Sequence, residues 1–230
     1  GLSRTRELLK RVGDPHQKLK YVHITGTNGK GSTAAMVASV LAQAGLTVGL
    51  YTSPHLWSFH ERFQVNGVPI SDDALGRIAE RVIQAGRGME DPATEFELMT
   101  AVGMLYFLEA GCDLVVLEVG LGGRMDSTNV IPAPEVAVIT NIGLEHTREL
   151  GDTLAQIATE KSGILKPGCD AVLYHQSGEV EKVVSDACRR QGIPLTLTDP
   201  EGLRVLGSGR EGQTFTYRDW GTFHISLLGR

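Results

Sequence analysis

Short apolar, β-branched runs alternate along this chain with stretches of helical texture, and that alternation leaves few folds open. Strand-like runs lie at 21–25, 47–52, 114–119, 136–140, 171–174 and 194–197. Helix-like stretches lie at 32–44, 71–85, 94–110, 153–165 and 179–191. Ser71, followed by Asp72 and Asp73, is a good N-cap, and Thr94-x-x-Glu97 reads as a capping box. The run 114–119 is apolar almost throughout, as expected of a parallel strand buried on both faces. The pattern predicts an α/β fold, an open and mainly parallel sheet with helices on both faces. Residues 54–69 have no clear period and read as a long loop, with an extended hairpin over 63–68. After Asp199 the texture changes, and 203–206, 213–217 and 222–227 read as short antiparallel strands. The expected division is one body over 1–200, continued by a β-rich subsegment of the same domain over 201–230.

Charge and apolar run length narrow the function classes. The formal charge is −5 and no basic stripe is visible, which argues against a nucleic-acid partner. Apolar runs fall well short of the ~18 residues needed to cross a bilayer, and no signal segment opens the chain. Cys112, Cys169 and Cys188 are isolated and make neither a zinc site nor a disulfide framework. A monomer in a reducing cytoplasm is expected.

Glycine is over-used, at 28 of 230 residues against a usual ~7%. Six of the 28 fall in two clusters, Gly26/Gly29/Gly31 and Gly120/Gly122/Gly123. The first lies in Gly26-Thr27-Asn28-Gly29-Lys30-Gly31-Ser32-Thr33, which leaves the first strand and opens the first helix. Unpaired backbone N–H groups and the helix dipole favour an anion there. The dipole supplies only ~0.3–1 kcal/mol, so a triphosphate also needs the Lys30 charge and a metal. The alternative is a glycine-rich turn with a solvent-facing lysine. The spacing departs from the common pattern G-x-x-x-x-G-K-[ST]: Ile24 stands where the first glycine belongs, and Gly31 separates Lys30 from Ser32.

Residues 26–32 (GTNGKGS) resemble the ATP loop of the folylpolyglutamate synthase and dihydrofolate synthase family, within the Mur ligase superfamily of amide-bond ligases. Four further stretches resemble that family in the same order: 52–56 (TSPHL), 118–129 (EVGLGGRMDSTN), 140–146 (TNIGLEH) and 157–164 (IATEKSGI). The resemblance implies ATP on Thr27, Asn28, Gly29, Lys30, Gly31, Ser32 and Thr33. It implies Mg²⁺ held by Ser53 with Glu118 and by Glu118 with His146, and a carbamylated Lys161. Lys30, His146 and Lys161 are then the catalytic candidates. Without the resemblance, Ser53 is a turn residue before Pro54, His146 a structural or solvent-facing histidine, and Lys161 a solvated charge. Glu118 closes an apolar strand and needs a partner on either reading.

Thr94, Phe96 and Glu97, together with Met125, Asp126 and Ser127, resemble the family's pteroate-contacting segments. For Glu97 the capping role and the pterin role are both open. Trp57 and Phe59 fit either stacking on the substrate or core packing, and His55 has no assigned role. The implied reaction phosphorylates a folate or dihydropteroate carboxylate with ATP and then joins it to L-glutamate. The rivals are a Mur-type or cyanophycin-type ligase with another acid substrate, and a nucleotide-binding module without ligase chemistry. The family is longer and carries a C-terminal α/β domain, so the chain is expected to be a fragment lacking that glutamate-ligase domain.

Overall fold

The structure is a computed structural model and describes residues 2–226. The chain divides into two compact units, Gly1–Thr196 and Leu197–Arg230. The first contains α1 (Ser3–Arg11), β1 (Tyr21–Thr25), α2 (Lys30–Gln43), β2 (Val48–Tyr51), β3 (Phe63–Val65), β4 (Val68–Pro69) and α3 (Asp72–Gly86). It continues through α4 (Glu95–Glu109), β5 (Leu114–Glu118), β6 (Val136–Ile139), α5 (Thr147–Leu150), α6 (Leu154–Lys161), β7 (Asp170–Leu173) and α7 (Gly178–Gln191). β8 (Leu195–Leu197) lies across the division. The second unit holds β9 (Leu203–Gly209), β10 (Gly212–Tyr217) and β11 (Thr222–Ile225), an antiparallel three-stranded sheet in the order β11-β10-β9. Position 227, the end of the last expected strand, lies outside the described residues.

The eight-stranded sheet runs β4-β3-β2-β5-β1-β6-β7-β8. Its centre, β2-β5-β1-β6-β7, is parallel, and β3 and β4 add the antiparallel edge expected as a hairpin. Alternation along β5 assigns its two faces: Val115 and Leu117 meet α1, α3 and α4, while Val116 meets α2. Helices therefore cover both faces. A third cluster packs α6 and α7 on β6 and β7 through Ala137, Ile139, Ala171 and Leu173. Each fully buried large side chain, such as Phe107, Ile78 or Leu9, contributes ~1.5–3 kcal/mol of burial.

Three local differences have physical causes. Helix α1 has no sequence signal at its start, because Leu2 at its N-cap supplies no side-chain acceptor. The single helix expected over 153–165 ends at Lys161 and tightens into a 3₁₀ turn, Ser162–Ile164. There Gly163 lies against Arg124, where a Cβ would meet the Arg124 Cα at 2.4 Å, and its carbonyl accepts from Asn129 Nδ2 at 2.9 Å. α5 is an unanticipated single turn, opened by His146 in the left-handed region at φ 42°.

Candidate active site

β1 delivers the chain to the phosphate loop, and β6 holds that loop from the side. Thr140 Oγ1 donates to the Asn28 carbonyl at 2.8 Å, Thr27 N donates to the Asn141 carbonyl at 2.6 Å, and Gly143 N donates to Thr27 Oγ1 at 3.0 Å. This grip requires glycine at 26, because a Cβ there would sit 1.8 Å from Thr140 Oγ1. Gly29 (φ 82°) caps α2 with no side-chain acceptor, so the first-turn N–H groups of α2 stay open for an anion. Lys30 Nζ turns back onto the loop and donates to the carbonyls of Gly26 (2.9 Å) and Thr27 (3.2 Å).

Lys161 is not a solvated charge. It is the last residue of α6 and only 1% exposed, and its Nζ donates to the Gly26 carbonyl at 2.8 Å and to Glu145 Oε1 at 2.7 Å. Burial lowers its pKa, Lys30 adds to that, and Glu145 opposes it. Burial works against the Glu145 carboxylate too. Even so, the bond and charge of Lys161, with help from Thr27 and Lys30, hold Glu145 below the usual carboxylate range. Glu145 carries no role on sequence grounds, although it stands one residue before His146 in a stretch already singled out.

Glu118 ends β5, 4% exposed, and its Oε2 accepts from Ser53 N at 3.0 Å. A Cβ on Gly31 would lie 3.6 Å from both of its oxygens, so the carboxylate faces the first turn of α2. Burial raises its pKa, against the Ser53 N–H and the Lys30 charge. His146 is exposed, and its carbonyl accepts from Glu149 N (3.0 Å) and Leu150 N (2.9 Å). Among the described residues, no three His, Cys, Asp or Glu side chains gather as a metal cluster. Magnesium prefers oxygen ligands and keeps several waters, so one buried carboxylate beside phosphates suffices. Glu118 fits that need, being buried, with one N–H bond and no ion-pair partner among the described residues.

The six residues assigned to the pteroate side line one cavity of about 320 Å³: Thr94, Phe96, Glu97, Met125, Asp126 and Ser127. An adjoining cleft of about 590 Å³ reaches Ser53 and Pro54 and shares Thr94, Phe96 and Asp126 with it. The capping box is present: Thr94 N donates to Glu97 Oε2 at 2.7 Å, and Glu97 N donates to Thr94 Oγ1 at 3.3 Å. Glu97 also accepts from Arg4 Nε (3.1 and 3.2 Å) and Thr5 Oγ1 (3.3 Å), ties across the chain that sequence reading missed. Asp126 is buried, which raises its pKa, and it accepts from Leu121 N and Thr128 N, both at 2.9 Å. Ser127 Oγ lies 2.6 Å from Thr100 Oγ1.

Trp57 is 94% exposed and Leu56 95%, so core packing is ruled out for Trp57. Three successive N–H groups, of Leu56, Trp57 and Ser58, donate to the Glu61 carboxylate at 2.8–3.1 Å and hold this turn. Phe59 packs edge-on against Phe63 at 5.7 Å. His55 Nδ1 accepts from Arg62 Nε at 3.0 Å.

Residues 24–175 match the Mur ligase middle domain family. The chain is similar to the dihydrofolate synthase/folylpolyglutamate synthase of Bacillus subtilis, 43% identical over 200 residues, 85% of this chain and 46% of that protein. It is also similar to a solved FPGS–AMPPCP–folate complex, with 38% identity and a TM-score of 0.92 over 100% of this chain and 58% of that one. The folylpolyglutamate synthase structure from Thermotoga maritima gives 36% identity and a TM-score of 0.91, covering 100% of this chain and 54% of that one. The chain spans about half the length of the relatives it matches. With the match covering the phosphate loop, the Glu118 strand and Lys161, the chain belongs to the Mur ligase middle domain family.

Proposed function

We propose that this chain carries the ATP and pteroate sites of an enzyme that joins L-glutamate to a folate or dihydropteroate carboxylate through an acyl phosphate. One observation carries the reading. The phosphate loop, Glu118 and the cavity lined by Phe96 and Asp126 stand around the C-terminal ends of β1 and β5, the usual crevice of an open α/β sheet. The relatives' names and the folate-bound relative point to the same substrates.

In this reading Lys30 leaves the Gly26 and Thr27 carbonyls to neutralise the transferred phosphoryl group, which the α2 N–H groups orient. Thr27, Asn28, Gly29, Gly31, Ser32 and Thr33 complete the ATP contacts. Mg²⁺, held by Ser53, Glu118 and His146, supplies charge neutralisation on the phosphates when bound. Lys161 acts as its carbamate, which requires it to part from Glu145. The cavity wall holds the pteroate and excludes water from the activated carboxyl. Among the described residues no helix is long and apolar enough to cross a membrane, and a cytoplasmic monomer is proposed.

The test is phosphate release with ATP, dihydropteroate or folate, and L-glutamate in full-length protein. Release that needs all three supports the reading, and Lys30→Ala abolishes it while leaving the circular dichroism unchanged. Release that follows a peptidoglycan precursor instead moves the chain to another branch of the superfamily. ATP binding with no acid-dependent release leaves a nucleotide-binding module.

A further inference from the structure

His23 breaks the rule of its strand. β1 is a central parallel strand, where apolar residues are expected on both faces, yet His23 is 0% exposed. Its Cα partners are Leu117 and Ala137, so it stands between the apolar cluster under α4 and the one under α6 and α7. Its Nδ1 has no partner among the described residues, a costly state for a buried polar atom. Packing alone is better served there by valine or leucine. The compensation lies on the other nitrogen.

His23 Nε2 is 2.9 Å from Thr128 Oγ1, and Thr128 is itself fully buried. The Thr128 hydroxyl donates its one hydrogen to Asp126 Oδ1. It can therefore only accept from His23, which puts a proton on Nε2, and a neutral ring then carries no proton on Nδ1. Burial, with the Lys166 charge nearby, pushes the His23 pKa down to about 3 and keeps it in that state. Asp126 passes the constraint on: Oδ2 accepts from Leu121 N at 2.9 Å and Oδ1 from Thr128 N at 2.9 Å. Leu121, Met125, Asp126 and Ser127 all line the cavity. A second tie runs in parallel, because Thr25, two residues along β1 on the same face, donates to the Gly122 carbonyl at 2.5 Å.

We propose that His23 is a positioning residue for the pteroate cavity, its Nε2–H acting through the Thr128 hydroxyl to fix Asp126 and the cavity wall over 121–127. The proposal rests on the pteroate reading above. The cavity wall is thereby registered to the strand that carries the phosphate loop, which sets the acid group against the phosphoryl donor.

The test compares His23→Leu with His23→Gln, whose side-chain amide restores an N–H donor near the Nε2 position. Amide hydrogen exchange is followed at Leu121 and Thr128, and dihydropteroate and AMPPCP are titrated separately. His23→Leu is expected to speed exchange at both amides and weaken dihydropteroate about tenfold, the scale of one lost hydrogen bond, with AMPPCP affinity within about twofold. His23→Gln is expected to recover most of both losses. Unchanged exchange in folded His23→Leu protein refutes the relay. Faster exchange with unchanged dihydropteroate affinity refutes the positioning role. Equal loss of both ligands without rescue by His23→Gln reduces His23 to a general stabiliser and overturns the proposal. If His23→Leu does not fold, Thr128→Val cuts the same chain one link later and carries the same readouts. Wild-type protein that takes up no dihydropteroate overturns the substrate reading, and the exchange rates then decide the relay alone.

Discussion

Gly26 offers one carbonyl to two ammonium groups, Lys30 at 2.9 Å and Lys161 at 2.8 Å. Among the described residues Lys161 forms an ion pair, with Glu145 at 2.7 Å, and Lys30 forms none, which makes Glu145 the residue on which the buried charge depends. Glu145→Gln leaves a 1%-exposed ammonium without its counter-charge, a change that costs ~3–5 kcal/mol when a buried pair is broken. Glu145 is partly open to solvent, so the lower end of that range is expected. The pH dependence follows from the sign of the shift. The folded pKa of Glu145 lies below its ordinary 4.5, so its stabilisation is fully present above that value and is lost as the pH falls through the folded pKa. Urea unfolding across that acid range should show a stability loss in the wild type that is reduced in Glu145→Gln.

At the level of elements, the capping box at the start of α4 separates stability from ligand binding. Thr94→Ala removes the acceptor for Glu97 N while Arg4 and Thr5 still hold the Glu97 carboxylate. Urea unfolding should report a loss of ~1 kcal/mol, the typical value of an N-cap, with AMPPCP affinity unchanged. The cap was legible in sequence because it is local, and so was the alternation of strands and helices, because burial on both faces writes itself as an apolar run. What escaped is what only folding brings together. Arg4 and Glu97 are 93 positions apart, and His23 and Thr128 are 105 apart. No periodicity links such residues. The Glu145–Lys161 pair, 16 apart, joins a loop after β6 to the end of α6, and the sequence presents each as an ordinary surface charge. The six residues that the family resemblance puts on the pteroate side carry no such signal of their own in the sequence, and they meet around one cavity.

At the scale of the whole molecule, the three apolar clusters among the described residues draw their buried residues from positions 8–193. A chain ending after Thr196, where the first unit closes, should therefore fold cooperatively by itself. Its AMPPCP affinity should match that of the 230-residue chain, and its melting, followed by circular dichroism, should remain a single transition. Loss of nucleotide affinity on removing 197–230 would contradict this. The placement of the two tryptophans bears on how any such experiment is read. Trp57 and Trp220 fall one in each unit, 94% and 69% exposed. Both indoles already sit in water in the native state, so their emission is red-shifted before any denaturant is added. Unfolding then moves the fluorescence maximum little, and a quiet emission trace says nothing about whether the core has melted. Trp57, three residues along the chain from Pro54 in the cleft wall, is better suited to reporting occupancy: a ligand that covers it shifts the emission to the blue.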